Sequence, residues 1–193
     1  MPYSNNWLFD QIASGKQFDY LYFWGHRPSR DGSVNQSCLS QWYAAGFEYE
    51  GNYFSTAEHW MMWHKALTFG DEAAAAAVLE TQDPREVKSW GRKVKDYDDA
   101  IWAEVKYSIV VQGNLSKFGQ NRNLKKYLLN TGRAILVEAS PYDVQWGIGM
   151  TAKEARTLND PSKWRGTNLL GWALMEVRDH LAKKKVYFKN INL

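Results

Sequence analysis

The apolar residues of this chain change period near residue 55, and that switch constrains its fold more than any other feature. Before it they cluster or alternate as strands do, and after it they recur at helical spacing. The first fifty or so residues read as β-rich with long loops. Residues 20–24 form an aromatic strand candidate, followed by a polar surface loop through Arg27, Pro28, Arg30, Asp31, Gly32 and Asn35. Phe47 and Tyr49 alternate with Glu48 and Glu50 ahead of Gly51 and Asn52, then Tyr53 and Phe54 resume, which is a hairpin pattern. Ser55, with Glu58 three positions on, reads as a capping box that opens a helix running to Phe69 and Gly70.

More helices are expected downstream. Asp71 caps an alanine-rich run, and Asp83, Pro84 and Glu86 open a short helix ending near Gly91. Asp98 or Asp99 opens a longer one, carrying Ile101, Trp102, Val105 and Ile109 to about Gln112. Residues 121–130 form another, with Gly132 just beyond as a stop. Residues 134–139 return to strand, 140–149 are loop by composition, and 168–181 repeat apolar positions as a helix. A last strand is expected near Tyr187. Strands and helices do not alternate as βαβ units, so the expected class is α+β: a helix-dominated single domain over 1–193, with a small β component and a core at about 20–182.

Composition narrows the function. Ten Trp in 193 residues exceed what packing demands, and their faces suit stacking on a planar base. A net charge of +3 is too small for a chain that coats nucleic acid by charge and fits a small anionic ligand better. Cys38 is the single cysteine, which points to a reduced, cytoplasmic setting, and the start of the chain lacks the pattern of a signal peptide. No apolar run is long enough to span a bilayer. GxGxxG, GxxxxGK[ST] and GxSxG are absent, and His26, His59, His64 and His180 have no zinc-ligand spacing, so no metal or cofactor is expected.

Three groups of residues can carry chemistry. Glu58, Met62 and Lys65 share one helix face, where apolar neighbours would raise the acid's pKa and lower the amine's. The plain alternative is that Glu58 closes the capping box and Lys65 is solvated. The loop with Glu138, Ser140, Pro141, Tyr142, Asp143, Trp146, Gly147 and Gly149 offers a second carboxylate in Asp143, although Asp after Pro is also an ordinary turn former. Two carboxylates facing a sugar are the recurring means of breaking a bond at its anomeric carbon. Arg92 and Lys93, with Lys117, can hold phosphate or can simply be solvated.

These pieces lie within a longer pattern: FWGH at 23–26, SQWY at 40–43, FSTAEHWMM at 54–62, Lys65, GR at 91–92, Trp102, KFGQN at 117–121, EASPYD at 138–143, WGIG at 146–149, WRGTNLLG at 164–171 and LMEVR at 174–178. So many blocks in one order resemble the NADAR, or YbiA-like, family over residues 22–181. The resemblance implies hydrolysis of an N-glycosidic bond, in ribosylaminopyrimidine phosphates of riboflavin synthesis or in ADP-ribosylated guanine, including bases in nucleic acid. It implies Glu58, Lys65 and Asp143 as catalytic residues, Trp146 and Gly147 as the wall beside Asp143, and Trp24, His26 and Trp102 as substrate-binding groups. Arg92 and Lys117 become phosphate contacts on the same reading. The competing class is a non-catalytic module that binds ADP-ribose or a nucleotide, for which an acid at position 58 is unnecessary.

Overall fold

The computed structural model describes residues 1–189 and the side chains of residues 1–183. In chain order the elements are α1 (Asn5–Ala13), β1 (Tyr20–Phe23), a 3-10 turn (Gln36–Leu39), β2 (Phe47–Tyr49), β3 (Asn52–Phe54), α2 (Ala57–Thr68), α3 (Glu72–Glu80) and α4 (Pro84–Arg92). They continue with α5 (Asp99–Gln120), α6 (Arg122–Asn130), β4 (Ile135–Glu138), α7 (Ala152–Leu158), a second 3-10 turn (Pro161–Lys163) and α8 (Leu169–Lys189). Helix dominates and the strands form two small pairs, as the α+β expectation requires. β2 and β3 form the expected antiparallel hairpin, with Glu50 and Gly51 at positive φ between them. β1 pairs with β4 in parallel, Tyr20 beside Ile135 and Phe23 beside Glu138, so the two ends of the strand reading meet across the whole helical segment.

The helices stack around α5, which packs on α2 along one side and on α8 along another. Close approach to α2 depends on Gly113: a Cβ there would lie 2.3 Å from the Trp60 ring. The bare backbone lets the Trp60 indole reach across and donate to the Ile109 carbonyl at 2.7 Å. α8 covers β4, whose Ile135, Leu136 and Val137 are fully buried, as expected of an apolar strand with both faces covered.

Several expectations need correction. α1 was not expected; Ser4 caps it by accepting the Trp7 N–H, and Trp7 packs on Tyr3, Phe18 and Trp172, so tertiary contacts supply what a weak apolar pattern lacks. α7 is a further helix outside the expected set, although Thr151 and Glu154 close a true capping box. α5 does not stop near Gln112 but runs to Gln120. Gly113 and Asn114 break the apolar period there, yet Asn114 is buried and donates to both Gln41 Oε1 and the Val110 carbonyl. Tyr187 lies within α8, not on a strand. The cap of α2 is Thr56 rather than Ser55, which leaves the Glu58 carboxylate free of capping duty.

Candidate active site

A cavity of about 660 Å³ opens between α2, α4 and α5 on one side and the loop 138–146 on the other. Glu58, Lys65, Asp143, Trp24, His26, Arg92, Trp102 and Trp146 all line it, although they lie up to 122 residues apart in sequence. Lys117 and Gly147 are not among the lining residues. Lys117 is fully buried, donating from Nζ to the Ser40 carbonyl at 2.7 Å beside the Tyr43 and Phe118 rings. The structure therefore departs from the expected phosphate contact: because α5 runs past Gln112, Lys117 turns into the core and props the 40–43 segment from behind. Gly147 also stands behind the wall. Any Cβ there would come within 2.9 Å of the Glu138 and Asp143 carbonyls, so its role is to let the loop fold over the end of β4.

Glu58 is carried into the cavity by the first turn of α2. Thr56 caps the helix by accepting the His59 N–H and also contacts His59 Nδ1 at 2.8 Å, while His59 Nε2 meets the Thr81 carbonyl at 3.0 Å. The Glu58 N–H donates to the Gln41 carbonyl at 3.0 Å, which ties α2 to the 40–43 segment. Burial pushes the Glu58 carboxyl up to about 7, and nearby Asp143 adds to the rise. Lys88, a hydrogen bond from the Trp42 side chain and Arg92 oppose it by favouring the anion.

Lys65 lies two turns further along the same face of α2, with Nζ 3.9 Å from the centre of the Tyr97 ring and 5.8 Å from that of Trp102. Burial lowers its pKa, with Asp99 acting in the opposite sense. On the facing loop, Asp143 Oδ1 accepts the N–H groups of Gln145 and Trp146 at 2.9 and 2.7 Å. Asp143 is thus a turn former and a pocket carboxylate at once. At the mouth, exposed Trp24 and Tyr142 lie 6.2 Å apart, and His26 packs on Trp42 at 5.5 Å.

The lining also includes Trp42, Lys88 and Tyr97, which carry no assigned role in the sequence reading, and Glu138, named there as part of the loop but given no function. Trp42 and Glu138 stand inside recognised blocks, and Glu138 is the one acid closing an otherwise apolar strand, which was the available signal. Lys88 and Tyr97 look like surface residues in sequence; nothing local marks them. His64 has its ring packed on Trp60 and Trp63 at 4.1 and 4.9 Å.

Residues 22–182 match the NADAR domain. The chain belongs to the NADAR family. It is 41% identical over 165 residues to the N-glycosidase R617 of Acanthamoeba polyphaga mimivirus, covering 83% of this chain and 95% of that protein. It is 30% identical over 147 residues to N-glycosidase YbiA of Shigella flexneri, covering 76% of this chain and 82% of that one. The solution structure of Escherichia coli YbiA superposes with a TM-score of 0.66 at 25% identity, over 89% of each chain. Proteins named as N-glycosidases thus run along most of this NADAR chain, and the hydrolase reading of the sequence stands with them. Among the described residues, no helix is long and apolar enough to cross a membrane.

Proposed function

We propose that this NADAR protein hydrolyses the N-glycosidic bond of a phosphorylated ribosylamine or of an ADP-ribosyl base, within the cavity between α2 and the loop 138–146. The observation that carries the reading is the meeting of Glu58, Asp143 and Lys65 on one cavity wall-to-wall, with Arg92 and Lys88 at its side. Rupture of the bond builds positive charge on the sugar, and carboxyl groups such as Glu58 and Asp143, which line the cavity together, are the means of stabilising it. The cationic side supports the phosphate part of the ligand, and Trp24, Trp102 and Trp146 support stacking on the sugar or base. A plain binding module has no use for a buried acid held at about 7 in the same cavity as an amine of lowered pKa, and their presence together favours the enzyme over the binder.

Incubation with ADP-ribosylated guanosine and, separately, with a ribosylaminopyrimidine phosphate, followed by mass spectrometry, tests both class and substrate. Release of free base or amine from one of them is the expected result; tight binding without release returns the binding-module reading. Glu58→Gln is expected to lower kcat by roughly 10²–10⁴-fold, the range for losing a positioned acid or base. Borohydride added during turnover fixes sugar on Lys65 if the amine captures the opened ribose as an imine, and leaves Lys65 unmodified if the carboxylates act directly.

A further inference from the structure

A second acid, half-buried, faces the same cavity, and neither the family pattern nor the reading above gives it work. Glu138 ends β4 with its backbone fixed on both sides: its N–H donates to Asn168 Oδ1 at 3.0 Å and its carbonyl accepts the Ile148 N–H at 2.9 Å. The side chain lines the cavity, while Oε2 is shut from solvent with no hydrogen-bond partner. An ionised group would place charge on an oxygen with neither water nor a donor beside it, which disfavours the carboxylate and favours the acid. Burial, then Asp143, pushes its pKa up to about 8.

The two glutamates differ in company. Glu58 has Lys88, Arg92 and the Trp42 hydrogen bond to favour its anion. Glu138 is packed by β1, the loop to Gly149 and the start of α8, and among the described residues the one charged group that acts on it is Asp143, another acid. Carboxyl groups whose surroundings push them apart in this way divide into donor and acceptor.

We propose that Glu138 is the proton donor of the reaction, giving its O–H to the departing nitrogen, with Glu58 as the anionic partner across the cavity. As the bond between the anomeric carbon and nitrogen breaks, its electron pair stays on nitrogen, which takes the Glu138 proton. Water adds to the anomeric carbon and gives a proton to Glu58. Glu138 is left ionised and Glu58 protonated, and exchange with solvent restores both. The products are the free sugar hydroxyl and the amine or base, with no other reactant. In this scheme Glu138 is a catalytic residue rather than a positioning one, because it hands its proton directly to the leaving nitrogen.

This inference rests on the N-glycosidase reading, and its test separates the two. Steady-state kinetics of the wild type on whichever substrate it cleaves should give a bell-shaped kcat profile, with the alkaline limb set by Glu138. Glu138→Gln keeps the size of the group and removes its transferable proton. We expect kcat to fall by about 10²–10⁴-fold, KM to stay within about threefold, and the alkaline limb to vanish. Glu138→Asp, which keeps the acid, should recover part of the rate and the limb. If the glutamine variant folds poorly, the wild-type profile still decides, because a kcat that stays flat above pH 8 overturns the proposal. So does a glutamine variant at parity, or one that loses rate with the limb intact. A wild type that cleaves neither substrate sinks the N-glycosidase reading itself, whereas cleavage with Glu138→Gln unimpaired sinks Glu138 alone.

Discussion

Lys117 holds an ammonium at full burial with the Ser40 carbonyl as its hydrogen-bond acceptor. Burial lowers its pKa to about 7, against an ordinary value of 10.5. The sign of the resulting pH dependence follows from where the proton binds first. The unfolded chain takes it up near 10.5 and the folded one near 7, so folding loses stability from Lys117 as pH falls through that window. Lys117→Met removes the effect, and its melting temperature relative to wild type should rise between pH 9.5 and pH 6.5 in thermal scans. Its KM should stay within about threefold, since the ammonium does not line the cavity; a tenfold rise would restore it as a phosphate contact. Glu58 and Glu138 carry the opposite sign. Their folded values lie above the unfolded 4.5, so their contribution is complete below that value and is lost as pH rises through about 7 and about 8.

At the scale of elements, α2 shows what a local motif decides and where it misleads. Ser55 and Thr56 are both competent caps in sequence, and Glu58 sits three positions after the first of them. Thr56 takes the role because its side chain meets both the His59 N–H and the His59 ring, whereas Ser55 donates outward to Gln82 Oε1. One residue of difference turns Glu58 from a capping group into a pocket acid. Thr56→Ala should cost about 1 kcal/mol, which for a chain of this size lowers the melting temperature by about 2–4 °C. Ser55→Ala should stay within about 0.5 kcal/mol. Equal losses in the two variants, measured by calorimetry, would return the cap to Ser55. The same locality explains which elements were readable. α3 and α4 begin at the expected Asp71 and Asp83 caps, while α1 depends on contacts with Phe18 and Trp172 that no window around it contains.

Across the whole molecule, Asn168 joins the strand pair to the loop that walls the cavity. It is fully buried at φ 54, accepts the Glu138 N–H through Oδ1, and donates from Nδ2 to the Leu136 carbonyl at 2.9 Å. Its own N–H reaches the Gly147 carbonyl at 3.0 Å, so β4, the loop 138–149 and the head of α8 share one residue. Asn168→Ala leaves two buried backbone groups of β4 unpartnered and keeps a strained φ. The expected cost is about 2–4 kcal/mol in urea unfolding, accompanied by a fall in kcat as Glu138 loses its anchor. Stability within about 1 kcal/mol of wild type, with kcat unchanged, would show that α8 packing alone positions β4.

By itself the sequence determined the local order of this protein: the switch of period, the hairpin, most helix starts, and motif blocks that resemble one family over residues 22–181. These depend on hydrogen bonds and side-chain neighbours a few positions apart, which a sequence displays directly. Only the tertiary structure decided which acids face one another, that Lys117 turns inward, and that Glu58 and Glu138 live in opposite electrostatic company. The charge state of a buried group is set by lost water and by the charges around it, and here those come from β1, α2, α4 and the loop after β4, segments that meet only once the chain is folded.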